Sequence, residues 1–117
     1  MKIEMQGFGV IEVEGERYDH DLVIEGGRIR QRGKGPSKVY RARYGHTPLS
    51  AEEAIPWQGK RLYIGTGLYG SLPVMPEIYA EAARRHIEVI ALPTPEICAK
   101  LRPLPAADIN AVLHLTC

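Results

Sequence analysis

The sequence predicts an α/β fold in which an amino-terminal antiparallel β meander precedes a β-α-β-α-β unit. Short, often alternating apolar runs, separated by glycine pairs or charged turns, fill the first 32 residues, as is typical of antiparallel strands. From Arg61 onward, apolar strands alternate with amphipathic helical stretches, and crossover helices of this kind join largely parallel strands. The length of 117 residues, with 44% hydrophobic and 25% charged residues, fits one globular domain spanning residues 1–117.

The meander consists of four predicted strands. Gly26 and Gly27 separate the last two, and the tolerance of glycine for positive φ suits this two-residue connection to a hairpin. The four strands are predicted at residues 2–6, 10–13, 21–24 and 28–30.

A basic segment follows at residues 31–44, which is rich in Lys and Arg and contains no Asp or Glu. One interpretation is a solvated loop and edge strand whose cations discourage pairing between sheet edges. The other is a surface for phosphate, RNA or an acidic partner between Lys34 and Arg43, with Tyr40 and Tyr44 available for stacking. Because the net charge is only +1 and no fingerprint of an RNA-binding fold is present, a nucleic-acid partner is not expected.

A short helix is predicted after Ser50. Ser50 and Glu53 form the S-x-x-E pattern of a capping box, in which each side chain accepts a hydrogen bond from the backbone amide of the other residue. Pro56 limits this helix to about one turn.

The carboxy-terminal half supplies the β-α-β-α-β unit. Its helices are predicted at residues 76–86 and 95–101, and Thr94 is expected to cap the second one. Its strands are predicted at residues 62–64, 88–92 and 109–115.

The loop after the first of these strands reads G-x-G-x-x-G between Gly65 and Gly70. A dinucleotide site also needs a helix that opens at the second glycine and an acidic residue at the end of the next strand. Pro73 and Pro76 delay the helix, and the strand at residues 88–92 ends without an acid. Two requirements fail, so we expect no dinucleotide and no other cofactor.

A weaker hypothesis remains for this loop. Ligands of open α/β sheets collect at the carboxyl ends of strands, and a glycine-rich turn exposes amides that can face an anion. A small anion or polar metabolite is therefore expected between the loop and Thr94, with His46 or His114 nearby. The candidate ligand-binding residues are Gly65, Thr66, Gly67, Gly70, Thr94, His46 and His114.

Catalytic and metal-binding patterns are not apparent. The histidines show no H-x-x-x-H spacing, and Cys98 and Cys117 form no C-x-x-C motif, so both are expected to be free, buried thiols. In the last strand His114 and Thr116 share one face while Cys117 lies on the other, which makes His114 and Cys117 a poor base and nucleophile pair. We therefore predict no catalytic residues and no metal.

Localisation signals are likewise not apparent. No run approaches the roughly 18 apolar residues of a membrane span, and the amino end lacks the apolar core of a signal peptide. A cytoplasmic protein without a membrane partner is expected.

Several motifs together resemble a known family. They are "GFG" at residues 7–9, "YDHD" at 18–21, His46, "IGTG" at 64–67, "LPTPEIC" at 92–98 and "AVLHLTC" at 111–117. In this order they resemble the Mth-type domain family that includes the adipogenesis-associated Mth domain-containing protein and NADH dehydrogenase alpha-subcomplex assembly factor three.

The resemblance implies an α/β fold of three layers, with a central mixed sheet and an added β layer from the amino-terminal half. It implies no reaction, because the family has no established catalytic residues to carry over, and the eukaryotic members of the family are assembly or regulatory proteins. The function predicted first is thus a non-enzymatic interaction or assembly factor with a protein partner, whose identity and oligomeric state stay open. The alternative is an anion-binding or small-molecule-binding domain, or an enzyme, with its pocket at the glycine loop.

Overall fold

A computed structural model describes residues 1–117, with eight strands, three α-helices and two 3-10 helices. The strands are β1 (Ile3–Gly7), β2 (Val10–Val13), β3 (Glu16–Tyr18), β4 (Leu22–Glu25), β5 (Arg28–Gln31), β6 (Arg61–Thr66), β7 (Glu88–Leu92) and β8 (Asn110–His114). The helices are α1 (Arg41–Tyr44), α2 (Pro76–Arg84) and α3 (Thr94–Leu101), and the 3-10 helices are Gly35–Tyr40 and Ala106–Asp108.

The first three strands form a small antiparallel sheet in the order β1-β2-β3. Along β2, Ile11 and Val13 are fully buried while Glu12 between them is half-buried, because successive side chains of a strand point to opposite faces. One face of this small sheet therefore covers apolar core.

The large sheet is mixed and has the order β5-β4-β8-β6-β7. Strand β6 runs parallel to both β7 and β8, whereas β4 runs antiparallel to β5 and β8. Gly26 and Gly27 have φ of 56° and 84°, the left-handed values that a tight two-residue hairpin turn requires. The predicted hairpin is present, but it belongs to the large sheet and supplies the antiparallel strands that make this sheet mixed.

Alternation along the central strand β8 divides the core between the two faces of the large sheet. Leu113 packs with Ile97 of α3 and Ile11 of the small sheet, whereas the adjacent Val112 packs with Ile78 of α2. α3 contacts both β1 and β6, so it lies against both sheets. The predicted α/β fold of three layers is confirmed, with a central mixed sheet and an added β layer from the amino-terminal half.

Two predictions about the segment between the hairpin and β6 were wrong. Residues 51–53 form turns and a bend, not a capped helix, because Ser50 and Glu53 use their side chains in tertiary contacts. The basic segment is not an extended edge strand beyond Gln31: it forms the 3-10 helix Gly35–Tyr40 followed directly by α1.

No helix combines the length and the apolar character that a membrane span requires.

Candidate functional site

Strand ends from both halves of the chain meet at one edge of the large sheet. Thr66 and His114, at the carboxyl ends of the parallel strands β6 and β8, are register partners. β4 runs the other way, so its first residue Leu22 lies beside the end of β8 and the end of β5. Asp21 and Arg32, which flank these strands, are thereby brought to His114 although they are distant in sequence.

The carboxylate of Asp21 is at the centre of this edge. Its Oδ2 accepts hydrogen bonds from Arg32 Nη1 at 2.9 Å and His114 Nδ1 at 2.8 Å, and its Oδ1 accepts one from the Leu115 amide at 2.9 Å. Burial alone raises the pKa of Asp21, but the hydrogen bonds from His114 and the Leu115 amide and the charge of Arg32 outweigh it. The pKa therefore lies below its ordinary value of 3.8, and Asp21 is an ionised acceptor.

Behind Asp21, Arg32 and Glu53 form a buried ion pair. Their side chains are 1% and 2% exposed, and Arg32 Nε and Nη2 each donate to one carboxylate oxygen of Glu53 at 2.8 Å. Arg32 Nη2 also donates to the Pro48 carbonyl at 3.0 Å. Burial lowers the pKa of Arg32, but Glu53 and Asp21 raise it more, and the net shift is upward. The guanidinium thus stays charged and holds both carboxylates.

Two buried serines attach the basic segment to this ion pair. The hydroxyl of Ser37 donates to Glu53 and lies 2.7 Å from the hydroxyl of Ser50, whose amide donates to Ser37 Oγ at 3.2 Å. Ser37 lies within the 3-10 helix Gly35–Tyr40. The helical basic segment is therefore fixed relative to the sheet edge by hydrogen bonds that are buried from solvent.

His114 connects this buried network to the surface. Because ionised Asp21 can only accept, it fixes a hydrogen on Nδ1 of His114, which leaves Nε2 as the acceptor of the neutral ring. Nε2 lies 3.2 Å from the hydroxyl oxygen of Thr116. The imidazole is 15% exposed and lines a cleft. His114 is thus a histidine whose tautomer is set by Asp21 and whose second ring nitrogen lies beside the hydroxyl of Thr116.

The cleft has a volume of about 630 Å³ and is positively charged. Lys34, Lys38 and Arg41 line it, and none of them forms a salt bridge. No Asp or Glu side chain lines the cleft. A small anion in the cleft would therefore meet the positive charge of these three side chains. The other polar side chains of the lining, besides His114 and Thr116, are those of His46, Thr47 and Ser71.

The glycine loop lies beside the cleft, but its amides are used within the fold. Leu68 donates to the Thr116 carbonyl at 2.7 Å, and the Tyr69 and Ser71 amides donate to the Cys117 carbonyl at 3.2 and 2.9 Å. Gly70 donates to the Gly67 carbonyl at 3.3 Å. The amides on which the sequence-based hypothesis relied are therefore occupied by intramolecular acceptors.

Thr94 also serves the fold, and its predicted role as a helix cap was wrong. α3 begins at Thr94 itself, with Pro93 before it and no side-chain cap. The Thr94 hydroxyl donates to the His114 carbonyl at 2.6 Å and accepts from the Gly67 amide at 2.9 Å. An added Cβ on Gly65 would lie 2.6 Å from this hydroxyl, so the glycine there is required by close packing.

Of the seven predicted ligand-binding residues, the structure brings His46 and His114 together in the cleft. Gly65, Gly67 and Thr94 pack against each other, and Thr66 is nearly buried at the end of β6. Sequence reasoning missed Asp21, Arg32 and Thr116 as members of the site. The available signals were "YDHD" at residues 18–21, noted only as part of a resemblance, and the shared face of His114 and Thr116 on the last strand.

A slightly larger depression, about 720 Å³, lies beside β1 and β2. It is lined by Lys2 and Arg102 together with three glutamates, so its charges oppose one another. Unlike the basic cleft, it does not favour one sign of ligand. The three acids are Glu4, Glu12 and Glu14. No group of three His, Cys, Asp or Glu side chains is placed to hold a metal ion anywhere in the chain.

Comparison with known proteins finds similarity among solved structures. The conserved hypothetical protein PH1505 from Pyrococcus horikoshii OT3 is similar over 100% of both chains, with 35% sequence identity and a TM-score of 0.82. A chain described as MT938 is similar over 94% of this chain and 93% of its own, with 23% identity and a TM-score of 0.65, which shows a shared fold. No family model matches the sequence, and no curated protein matches it.

Proposed function

The chain belongs to the same family as the conserved hypothetical protein PH1505 from Pyrococcus horikoshii OT3, and we propose that it binds a small anionic metabolite in the basic cleft. The observation that carries the proposal is the charge of the lining: Lys34, Lys38 and Arg41 face the cleft without a carboxylate partner. A phosphate or carboxylate group is the ligand chemistry that such a set of cations favours, because charge-assisted hydrogen bonds are the stronger ones.

The position of the cleft supports the same proposal. It opens at the carboxyl ends of β6 and β8, and ligands of open α/β sheets bind outside the carboxyl ends of the strands. Ser37 and Ser50 hold the basic helical segment against the sheet. The cations are thus carried on a fixed support, which lowers the entropy lost when a ligand binds.

Isothermal titration with inorganic phosphate and with citrate, at constant ionic strength, tests this binding. We expect saturable binding by the wild-type protein and a weaker Kd in Lys38→Ala and Arg41→Ala. A charge-assisted hydrogen bond contributes about 1.5–3 kcal/mol, and the lower figure suits an exposed cleft, so Kd should rise roughly tenfold per substitution. Lys100→Ala, on the exposed side of α3, is the matched control and should leave Kd unchanged.

Two results would contradict the proposal. One is the absence of saturable binding for every anion tested. The other is an equal loss of affinity in Lys38→Ala and Lys100→Ala, which would mean that the anions respond to net charge and not to the cleft.

An interaction or assembly role, as the Mth-type resemblance implies, is the second candidate, and exposed aromatic side chains favour it. Phe8 and Tyr69 are 55% and 71% exposed, and their ring centroids lie 6.2 Å apart. We expect Phe8→Ser and Tyr69→Ser to abolish binding of a stoichiometric protein partner, first recovered from native lysate and then tested in purified form. Tyr79→Ser, at another exposed tyrosine, is the control and should retain binding. Recovery of no such partner would contradict this role.

A further inference from the structure

Three side chains are connected in series from the buried network to the cleft. Asp21 Oδ2 is 2.8 Å from His114 Nδ1, and His114 Nε2 is 3.2 Å from Thr116 Oγ1. His114 and Thr116 both line the cleft. The Leu115 amide and Arg32 hold Asp21 in place from the other side. The carboxylate, imidazole and hydroxyl thus have the connectivity of an acid, base and nucleophile.

This arrangement meets the two requirements of nucleophilic catalysis. A hydroxyl nucleophile needs a general base within about 2.6–3.2 Å, and the base needs a third group that orients it. Asp21 fixes the hydrogen on Nδ1, so Nε2 of neutral His114 can accept the Thr116 proton. The other hydroxyls and the thiol of the lining, those of Thr47, Ser71 and Cys117, make no such hydrogen bond to His114.

We propose that Thr116 is the nucleophile and His114 the general base of an acyl transfer from small carboxylic esters that carry an anionic group. The inference rests on the proposed function, because the basic cleft supplies the recognition of the anionic group. Lys34, Lys38 and Arg41 line the same cleft as Thr116, and their positive charge favours the negative oxygen of a tetrahedral intermediate.

The step balances without an external oxidant or reductant. Thr116 Oγ forms a bond to the ester carbonyl carbon while its proton passes to His114 Nε2. The bond from that carbon to the alcohol oxygen then breaks, and the alcohol leaves with the proton from Nε2. Water, deprotonated by the same nitrogen, hydrolyses the acyl group from Thr116 and returns both residues to their starting state.

Asp21 and Arg32 are positioning residues in this scheme. Asp21 acts through the ring of His114, and Arg32 acts through Asp21, since neither lines the cleft. Asp21→Asn would place an amide against Nδ1 and remove the preference for the productive tautomer. This variant should lower the acylation rate while leaving the Kd for inorganic phosphate unchanged. If Asp21 served only stability, the folded variant would keep the acylation rate of the wild-type protein.

The test uses two chromogenic esters that share an acetyl group, para-nitrophenyl acetate and its carboxylate-bearing analogue meta-carboxy-para-nitrophenyl acetate. We expect a burst of nitrophenolate from the anionic ester, an acetyl group on Thr116 by peptide mass spectrometry, and competition by inorganic phosphate. Thr116→Val, which keeps the shape and removes the hydroxyl, should abolish the burst, and Thr116→Ser should retain it. His114→Gln should lower the rate by about 10²–10⁴-fold.

The outcomes separate this inference from the proposed function. Acetyl groups only on Cys117 or lysines, or an undiminished burst in Thr116→Val, overturn the nucleophile. Equal rates with the two esters overturn the substrate class. Saturable phosphate binding without any burst overturns the acyl transfer and leaves the proposed function standing, whereas absence of phosphate binding overturns the proposed function itself. Circular dichroism of each variant shows that it is folded, and Thr116→Ser supplies the comparison if the valine variant does not fold.

Discussion

Replacing Arg32 by methionine tests how much the buried network stabilises the fold. The variant loses four hydrogen bonds, two to Glu53, one to Asp21 and one to the Pro48 carbonyl. It also leaves the Glu53 carboxylate, 2% exposed, and the Asp21 carboxylate, 11% exposed, without their counter-charge. Removing one partner of a buried ion pair costs about 3–5 kcal/mol, because the remaining charge stays desolvated.

For a domain of this size, such a loss corresponds to a decrease in Tm of roughly 10–20 °C. Urea denaturation and thermal unfolding, both followed by circular dichroism, measure it. Arg61→Met is the matched control: Arg61 Nε donates to Glu88 over the same 2.8 Å, but the two side chains are 58% and 63% exposed. Its effect should be small, since both charges are already hydrated. A change in the free energy of unfolding for Arg32→Met no larger than that for Arg61→Met would refute the reasoning.

Three further predictions concern the glycine loop, the reactivity of the two thiols and the dependence of stability on pH in acid. Gly67 has a φ of 104°, and an added Cβ there would lie 2.3 Å from the Cys117 carbonyl carbon. Gly67→Ala should therefore lower Tm by far more than Gly15→Ala, where φ is 85° but the space around the added Cβ is open. Equal decreases in Tm would contradict the clash. Burial raises the pKa of Cys98 to about 11, so a thiol reagent at neutral pH should label half-buried Cys117 first and Cys98 only after denaturation, as peptide mapping would show. Because the pKa of Asp21 is lowered in the folded state, the contribution of Asp21 to stability is present above the ordinary pKa of 3.8 and is lost as pH falls through the folded pKa. The free energy of unfolding of Asp21→Asn, measured by denaturation from pH 5 to pH 2, should therefore depend less on pH than that of the wild-type protein. Parallel pH profiles of the two proteins would contradict this.

Local patterns in the sequence were sufficient to predict most of the fold. Alternation and glycine turns located four of the five strands of the amino-terminal half but missed the short β3, and the hairpin turn at Gly26 and Gly27 was correctly placed. What these patterns did not contain was the pairing between β4 and β8, which joins the hairpin to the large sheet. Such a pairing depends on which apolar faces can share a core, and that is a property of the whole chain.

The site was harder to predict because its residues form hydrogen bonds with residues that are distant in sequence. Ser50 and Glu53 matched a local capping pattern, but the carboxylate of Glu53 binds Arg32 in a buried ion pair. Breaking this pair would cost more free energy than capping a helix of about one turn would gain. Asp21 and His114 are 93 positions apart and meet through strand register alone. His46 and His114 were candidates because they were expected near the glycine loop, whereas the carboxylate that orients His114 needed the three-dimensional structure.

The expectations about partners and location remain predictions of a different kind. A protein partner, an assembly role and a cytoplasmic location were derived from a family resemblance and from composition. These properties concern what the protein meets in the cell, and the structure of one chain does not test them. The experiments on Phe8 and Tyr69 address the partner, and fractionation of cells addresses the location.

The hydroxyl of Thr94 has a consequence for the motions of the sheet edge. It joins the loop after β6, the start of α3 and the end of β8 through two hydrogen bonds. These three segments should therefore open together, as one unit in amide hydrogen exchange, and not fray one by one. In Thr94→Val the Gly67 amide should exchange ahead of the interior of β8. The edge is therefore already ordered by folding, and a ligand of the proposed cleft would bind there with little further loss of conformational entropy.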